Sequence, residues 1–228
     1  MDEHTLVDIL YRSRETLLKK LAADGYNTKP YMKFGYDDIK NMKMDDAVAM
    51  RMDLDRERQI EEGEATKCVV VYTAPSRKLK ATVSMNKFLS EQVISAKPPK
   101  YPEIEDTAST EVIIILSDET VTEQFHAFAL QVLRTKKLRL RFFQASHIVN
   151  DPSSYAIVPK HRKLLPAEKE KLLKELYLEK NEAKKLPVIR FHEDMQARWL
   201  GLVPDDVVEI TRPSPSAGEY MMYRVCST

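Results

Sequence analysis

Residues 186–225 read LPVIRFHEDMQARWLGLVPDDVVEITRPSPSAGEYMMYRV, and this stretch decides how the chain is interpreted. An apolar lead-in is followed by a short helical segment and then by two strand-like runs. The runs are joined by a turn rich in Pro, Ser and Gly, and both alternate apolar with polar side chains, which predicts a β-hairpin. The stretch therefore predicts a compact α+β module whose surface side chains are suited to binding another protein.

The short helix of this module carries signals at both ends. Asp194 is suited to cap its start, because a carboxylate can accept hydrogen bonds from backbone N–H groups two or three positions on. Gly201 is suited to end it. A helix of under two turns is unstable alone and must be held by packing. We expect Ala197 and Leu200 to face the core and Arg198 and Trp199 to lie on other faces. The alternative for Trp199 stays open, because a lone Trp is more often a core residue than an interface residue.

The hairpin runs span 207–212 and 220–225, and Gly218 can supply a positive φ at the end of their connection. Their alternation divides each run between two faces, with Val208 and Ile210 on the same one. We expect one face of the hairpin to cover the core of the module. The other face is then a candidate surface for a partner.

The remainder of the chain has a different character. Its order of helical and strand-like segments predicts an α/β domain over 1–150, and the turn residues at 150–154 predict a boundary before a domain over 151–228. The prolines of 97–110 predict an exposed insertion, and residues 61–64 are predicted to form a loop. The predicted helices of the N-terminal domain are 5–24, 37–60, 86–95 and 121–134, and its predicted strands are 68–73, 79–83, 111–116 and 138–143. Pro166 is predicted to lie in the first turn of a further helix that carries Leu172, Leu173, Leu176 and Tyr177.

Composition excludes several classes of protein. Lys and Arg (36) nearly balance Asp and Glu (35), so binding of nucleic acid by overall charge alone is not expected. The two cysteines, Cys68 and Cys226, lack metal-ligand spacing, and Cys68 opens an apolar run typical of a buried strand. No apolar run reaches the roughly 20 residues that span a bilayer, and the acidic start is unlike a secretory signal. We expect a cytosolic or nuclear protein without membrane contact.

The C-terminal module resembles, segment by segment, a small component of RNA polymerase: the archaeal RpoH protein and its eukaryotic counterpart shared by nuclear polymerases I, II and III. The match rests on short motifs in a fixed order. They are Val158–Pro159–Lys160–His161, Leu186–Pro187–Val188–Ile189, the set Asp194, Ala197, Arg198 and Gly201, then Arg212–Pro213–Ser214, Ala217–Gly218, Tyr220 and Tyr223–Arg224. The N-terminal half looks like the jaw domain of the eukaryotic protein, which the archaeal one lacks.

The resemblance implies a non-catalytic polymerase subunit in the nucleus, without metal or cofactor and without homo-oligomerisation. It implies a jaw domain similar in fold to restriction endonucleases, and a small α+β assembly domain that binds the largest polymerase subunit and its neighbours. The candidate partner-binding residues are Arg198, Trp199, Arg212, Tyr220, Tyr223 and Arg224. Downstream duplex DNA would lie near the loop after the central strand, where Asp118 and Glu119 repel phosphate and Ser117 and Thr120 can donate hydrogen bonds.

The chain departs from the family pattern at several positions. Met195 replaces a proline and Trp199 a tyrosine, and the acidic residues Glu209 and Glu219 stand where basic ones are common. Like charges across an unchanged interface are penalised. We therefore hypothesise a diverged copy, matched to a diverged largest subunit or dedicated to one polymerase class.

Alternative functions remain open at this point. A stand-alone adaptor could use the same module to bind polymerase or transcription factors. A nuclease is rejected, because Glu182–Ala183–Lys184 precedes the only suitable acid, Asp205. His192–Glu193–Asp194 is interpreted as a helix start and not as a metal site, and His161 as a packing residue or backbone hydrogen-bond partner. A basic cluster is interpreted as solvated instead of nucleic-acid binding: Arg134, Lys136, Lys137, Arg139 and Arg141.

Overall fold

The computed structural model describes residues 2–41, 50–57, 64–74, 79, 82–95, 104–216 and 218–228. The chain divides into two compact units, Met1–Asp151 and Pro152–Thr228, which we call the N-terminal and C-terminal units. Within the described ranges, none of the helices combines the length and the apolar character that crossing a membrane requires.

The N-terminal unit is built on a four-stranded mixed sheet of order β1-β2-β3-β4, in which β1 is antiparallel to β2 and the other pairs are parallel. Parallel neighbours need crossover connections, and helices α3 and α4 supply them. The strands are β1 (Met52–Asp55), β2 (Lys67–Tyr72), β3 (Thr110–Leu116) and β4 (Arg139–Gln144), and the helices are α1 (Glu3–Ala23), α2 (Tyr36–Asn41), α3 (Thr82–Phe88) and α4 (Glu123–Lys136).

Strand β3 is buried along its whole length, as its run of branched apolar residues predicts. Phe125 and Phe128 of α4 pack on Phe142 of β4, and the rings of Phe125 and Phe142 meet edge to face with centroids 4.9 Å apart. Cys68 is fully buried in β2, which confirms its interpretation as a strand thiol. Mixed α/β architecture is thus confirmed for this unit.

Helix α1 confirms the predicted amphipathic helix, with Leu10, Leu17 and Leu21 buried. Its start lies two residues earlier than the sequence suggested, because the Asp2 side chain accepts from the Thr5 N–H at 2.7 Å and is itself the cap. Gly25 follows the end with φ 92°, a conformation that favours glycine.

Three predictions for this unit are wrong in part. Of the helix predicted over 37–60, the structure describes α2 (Tyr36–Asn41), and residues 42–49 lie outside the described residues. Met52–Asp55 forms β1 instead of a helix, because alternate residues of that short segment are buried against β2. The strand over 79–83 is replaced at its end by α3, while 80–81 lie outside the described residues. Part of the predicted insertion and of the 61–64 loop also lies outside them, but Ile104 is buried and donates to the Ile94 carbonyl.

The C-terminal unit contains a second four-stranded sheet, of order β5-β7-β8-β6. Strands β5 and β7, and β7 and β8, pair antiparallel, and β6 pairs parallel to β8. The strands are β5 (Lys160–Lys163), β6 (Val188–Arg190), β7 (Val207–Ser214) and β8 (Gly218–Ser227), and the helices are α5 (Pro166–Glu175) and α6 (Met195–Leu200). The hairpin predicted from alternation is confirmed, with Gly218 at φ 74°.

Both faces of this sheet carry a hydrophobic core. On one face, Leu172 and Leu173 of α5 pack with Val207 and Val225. On the other, Ala197 of α6 packs in a cluster with Val208 and Ile210. The prediction that one hairpin face covers the core and the other is open is therefore wrong, because each face receives a helix.

Helix α5 begins at Pro166 as predicted and buries Leu172 and Leu173. Leu176 is 43% exposed and Tyr177 is 94% exposed, so neither joins the core. The chain turns at Tyr177 with φ 54°, which directs this side chain to solvent.

Candidate partner-binding surface

Helix α6 has the predicted cap. The Asp194 carboxylate accepts from the Gln196 N–H at 2.7 Å and from the Ala197 N–H at 3.3 Å. A cap of this kind stabilises a helix by about 1 kcal/mol. Gly201 ends the helix at φ 65°. The short helix is therefore held at both ends as well as by its packing.

Two of the candidate contact residues lie on α6 and behave differently. The Trp199 side chain is 1% exposed, so the expectation that it faces away from the core is wrong. A large aromatic ring gains most by burial, and a six-residue helix between the sheet and solvent has few other side chains of that volume. Arg198 is half-buried, and burial lowers its pKa while Asp194 raises it less. Trp199 accordingly serves the core of the C-terminal unit.

The hairpin end brings two candidate residues together. Arg212 of β7 and Tyr220 of β8 are directly opposite each other in the antiparallel register, so their side chains share one face. Both are exposed, and Tyr220 retains 59% of its surface in solvent. An exposed Arg beside an exposed Tyr is the composition that dominates binding energy in protein interfaces.

The other two hairpin candidates are more enclosed. Tyr223 lies opposite Glu209 on the face that packs against α5, and it is half-buried against that core. Arg224 is half-buried and donates from Nη1 to the Val188 carbonyl at 3.1 Å. The structure therefore does not bring Tyr223 to the face of Arg212 and Tyr220.

Glu209 belongs to a charged network within the C-terminal unit. Arg162 of β5 donates to Glu209 at 3.2 Å and to Glu168 of α5 at 2.8 Å. Glu168 also accepts from the Leu165 N–H, and this bond together with Arg162 lowers its pKa. The acidic character of position 209 is thus matched by a basic residue of the same chain.

One exposed residue of the hairpin was missed by the sequence reasoning. Met221 is 57% exposed and lies opposite Thr211, on the face away from Tyr220. The adjacent pair Met221–Met222 was a usable signal, since alternation forces two consecutive apolar residues onto opposite faces. The hydrophobic clusters on the two faces of the sheet do not extend to the Thr211–Met221 pair, so Met221 remains in solvent.

The predicted DNA-proximal hydroxyls lie after β3 in the N-terminal unit. Ser117 is 4% exposed, and its hydroxyl donates to the Thr73 carbonyl, so it is not available to a phosphate as the sequence suggested. Thr120 is exposed. Glu119 accepts from the Leu79 N–H at 2.9 Å and so takes part in the fold.

The basic cluster near β4 is divided by burial. Arg141 is 8% exposed and pairs with Glu111 of β3 at 2.7 Å, so its interpretation as solvated is wrong. Tyr26 donates to Glu111 at 2.8 Å and receives a hydrogen bond from Arg56. Burial acts to raise the pKa of Glu111, but Arg141 and Tyr26 outweigh it, and the net pKa is lowered. Arg141 serves the fold of the N-terminal unit.

The described residues were compared with what a metal site or a reactive thiol would require. In those ranges no three His, Cys, Asp or Glu residues are grouped as metal ligands. Cys68 and Cys226 are both buried free thiols, and burial raises the pKa of each, for Cys226 to about 12. The His161 ring nitrogen Nδ1 lies 2.7 Å from the Pro159 carbonyl, which confirms its backbone hydrogen bond.

Comparison with known proteins gives a consistent result. The sequence pattern of the family described as "RNA polymerase Rpb5, C-terminal domain" matches residues 151–226. The DNA-directed RNA polymerase subunit Rpo5 of Sulfurisphaera tokodaii is 40% identical over 80 residues, which are 35% of this chain and 90% of that protein. Rpo5 of Metallosphaera sedula is 43% identical over 74 residues, 32% of this chain and 84% of that protein.

A eukaryotic relative is matched over a longer segment. The Dictyostelium discoideum protein named "DNA-directed RNA polymerases I, II, and III subunit rpabc1" is 30% identical over 127 residues, 56% of this chain and 62% of that protein. A match of this length exceeds the C-terminal unit, so the similarity extends into the N-terminal unit.

Proposed function

The chain belongs to the family of RNA polymerase subunits that contains the Rpb5 C-terminal domain and archaeal Rpo5, and on this premise we propose that it is a non-catalytic subunit of a nuclear DNA-directed RNA polymerase. One observation carries the proposal: the family match over 151–226 coincides with the compact unit Pro152–Thr228. The residues that match the family therefore form one compact unit of the structure.

The C-terminal unit binds the largest polymerase subunit and its neighbours. The contact surface that the geometry favours is the hairpin end, with Arg212 and Tyr220 on one face. Arg198 and Arg224 are half-buried and remain candidate contacts away from the hairpin end, and Tyr223 lies on the opposite face beside the α5 core. Trp199 is omitted from the surface because it is buried.

The N-terminal unit supports the downstream DNA cleft, as the resemblance to the jaw domain implies. Its parallel strands with crossover helices are compatible with the restriction-endonuclease-like fold of that domain. Of the two predicted hydroxyls only Thr120 is exposed. With a net charge of +1, the chain meets duplex DNA through local contacts inside the complex. Nucleotide addition belongs to other subunits, so the chain needs no cofactor.

Purification under native conditions tests this function. A tagged chain should co-purify with a largest polymerase subunit in a one-to-one ratio, measured by quantitative mass spectrometry. A ratio far below one to one would favour the stand-alone adaptor, and the absence of every largest subunit would overturn the proposal. The set of largest subunits recovered also tells whether the chain serves one polymerase class or all three.

The acidic residues of the hairpin support the hypothesis of a diverged copy unequally. Glu209 is paired with Arg162, so its charge requires no change in a partner. Glu219 is exposed at the hairpin end. Position 219 is therefore where the partner surface of a diverged copy would differ.

Replacing Glu219 with arginine should weaken incorporation into polymerase by about fivefold to tenfold, because a like charge across the contact would repel a matched basic partner. Competition between tagged wild-type and variant chains in the same cells measures the ratio. Glu175→Arg makes the same charge change on α5, where Glu175 is exposed, and should incorporate normally. Equal incorporation of Glu219→Arg would contradict the diverged partner surface.

A further inference from the structure

Half of β8 has an open edge. The sheet order places β6 on the side of β8 away from β7, but β6 pairs only with Val225–Ser227. On its inner side β8 pairs with β7 from Gly218 onwards. In the described part of the C-terminal unit, the outer side of β8 from Gly218 to Arg224 therefore has no neighbouring strand.

The hydrogen bonds near β6 show which backbone groups face this edge. The Val225 N–H donates to the Pro187 carbonyl, and the Ser227 carbonyl accepts from the Phe191 N–H, so both residues direct their backbone groups away from β7. Backbone direction alternates along a strand in an antiparallel pair. The N–H and C=O groups of three further residues therefore face the open edge: Glu219, Met221 and Tyr223.

The chain before β6 contacts β8 but does not pair with it as a strand. Pro187 has no N–H to donate, and Lys180–Lys185 before it forms a 3₁₀-helix. Pairing with β8 therefore stops at Pro187. The vacant length of β8 is long enough for a strand of ordinary size, since most strands have about five or six residues.

The two edges of the sheet differ in their protection. Strand β5, at the opposite edge, reads KHRK, and charged side chains on an edge discourage pairing with another chain. The open part of β8 presents Tyr220 and Met221, which are 59% and 57% exposed. An edge with unpaired backbone groups and exposed apolar side chains is a template for an added strand.

We propose that the open edge of β8 binds an extended segment of a neighbouring polymerase subunit as an added strand of the sheet. The backbone groups of Glu219, Met221 and Tyr223 form the ladder. Glu219 is an exposed acid on the face of Met221, so the added strand carries a Lys or Arg beside it. This inference rests on the proposed function, because it supplies the mode by which the C-terminal unit joins the complex.

A second copy of the chain fits the edge less well. Antiparallel pairing of two identical edges centred on Met221 would place Glu219 of each copy opposite Tyr223 of the other. Neither carboxylate would then lie opposite a cation. A partner segment with its own sequence can satisfy the backbone and the charge together.

Two substitutions at one position separate the backbone contact from the side chain. Met221→Pro removes the outward N–H, and by the same alternation it leaves the ladder with β7 intact. Met221→Thr removes the apolar side chain and keeps the N–H. We expect Met221→Pro to reduce incorporation into polymerase at least about tenfold and Met221→Thr less than about threefold. Equal loss with both variants would assign the contact to the side chain and overturn strand addition.

Amide hydrogen exchange on the wild-type chain gives a second test that does not depend on how the variants fold. The amides of Glu219, Met221 and Tyr223 should exchange fast in the isolated chain and slowly in purified polymerase. Unchanged exchange within an assembled polymerase would overturn strand addition and leave the proposed function standing. Failure of the wild-type chain to enter polymerase would overturn the function itself, and concentration-dependent protection of the isolated chain would identify a second copy as the occupant.

Discussion

Replacing Trp199 with alanine should lower the free energy of unfolding of the C-terminal unit by about 3–5 kcal/mol, because the substitution leaves a cavity where a fully buried ring stood. Trp199 is 1% exposed. A separate unit of this size is stable by a margin of similar magnitude, so the variant should populate the unfolded form. Hydrogen exchange at α6 and β7 measures the loss directly and distinguishes this unit from the other.

Two controls accompany the Trp199 variant. Arg198→Ala changes a half-buried neighbour on the same helix and should cost about 1 kcal/mol or less. Trp199→Phe keeps an aromatic ring, so its loss in free energy of unfolding should lie between those of Arg198→Ala and Trp199→Ala. If the alanine variant unfolded within about 1 kcal/mol of wild type, the ring would not be in the core, and Trp199 would return to the candidate contact surface.

Replacing Arg141 with methionine should destabilise the N-terminal unit by about 3–5 kcal/mol, because it leaves the Glu111 carboxylate buried without its cation. The two side chains meet at 2.7 Å and are nearly inaccessible to solvent. Urea unfolding followed by circular dichroism gives the change in free energy. The paired substitution Glu111→Leu with Arg141→Met removes both charges and should recover most of the loss.

The pH dependence of the free energy of unfolding tests the role of Arg141, because wild type and variant should respond to acid in opposite directions. In wild type the pKa of Glu111 is lowered, so its contribution to stability is present above the unfolded pKa of about 4.3 and is lost as pH falls through the folded value. Without Arg141, burial dominates and the folded pKa rises, so the variant gains stability on acidification. The difference in free energy of unfolding between wild type and variant should decrease from pH 7 towards pH 4. A difference that is independent of pH would contradict the role assigned to the Glu111–Arg141 pair.

Local signals predicted the elements that depend on local chemistry. The Asp194 cap, the Gly201 end and the β7–β8 hairpin are encoded within a few residues of each other, and all three are confirmed. The family motifs of the C-terminal module were likewise recognisable from the sequence, and the match over 151–226 agrees with them.

Features that depend on distant partners could not be predicted in this way. Alternation shows that a hairpin has two faces, but the coverage of both depends on where α5 and α6 pack. The pairing of Glu111 with Arg141 depends on the parallel register of β3 and β4. Trp199 was misjudged because a short helix has no clear periodicity with which to assign its buried side.

The order β5-β7-β8-β6 also affects when the C-terminal unit acquires structure during synthesis. Its two central strands, β7 and β8, follow β5 and β6 in the sequence, so β5 and β6 emerge from the ribosome before the strands that join them have been made. We therefore expect the four-stranded sheet to form only after β8 has emerged from the ribosome. Nascent chains stalled before residue 218 should be cleaved readily by protease throughout 152–216. Partly made chains would then be exposed to degradation before they could compete for a place in an assembly.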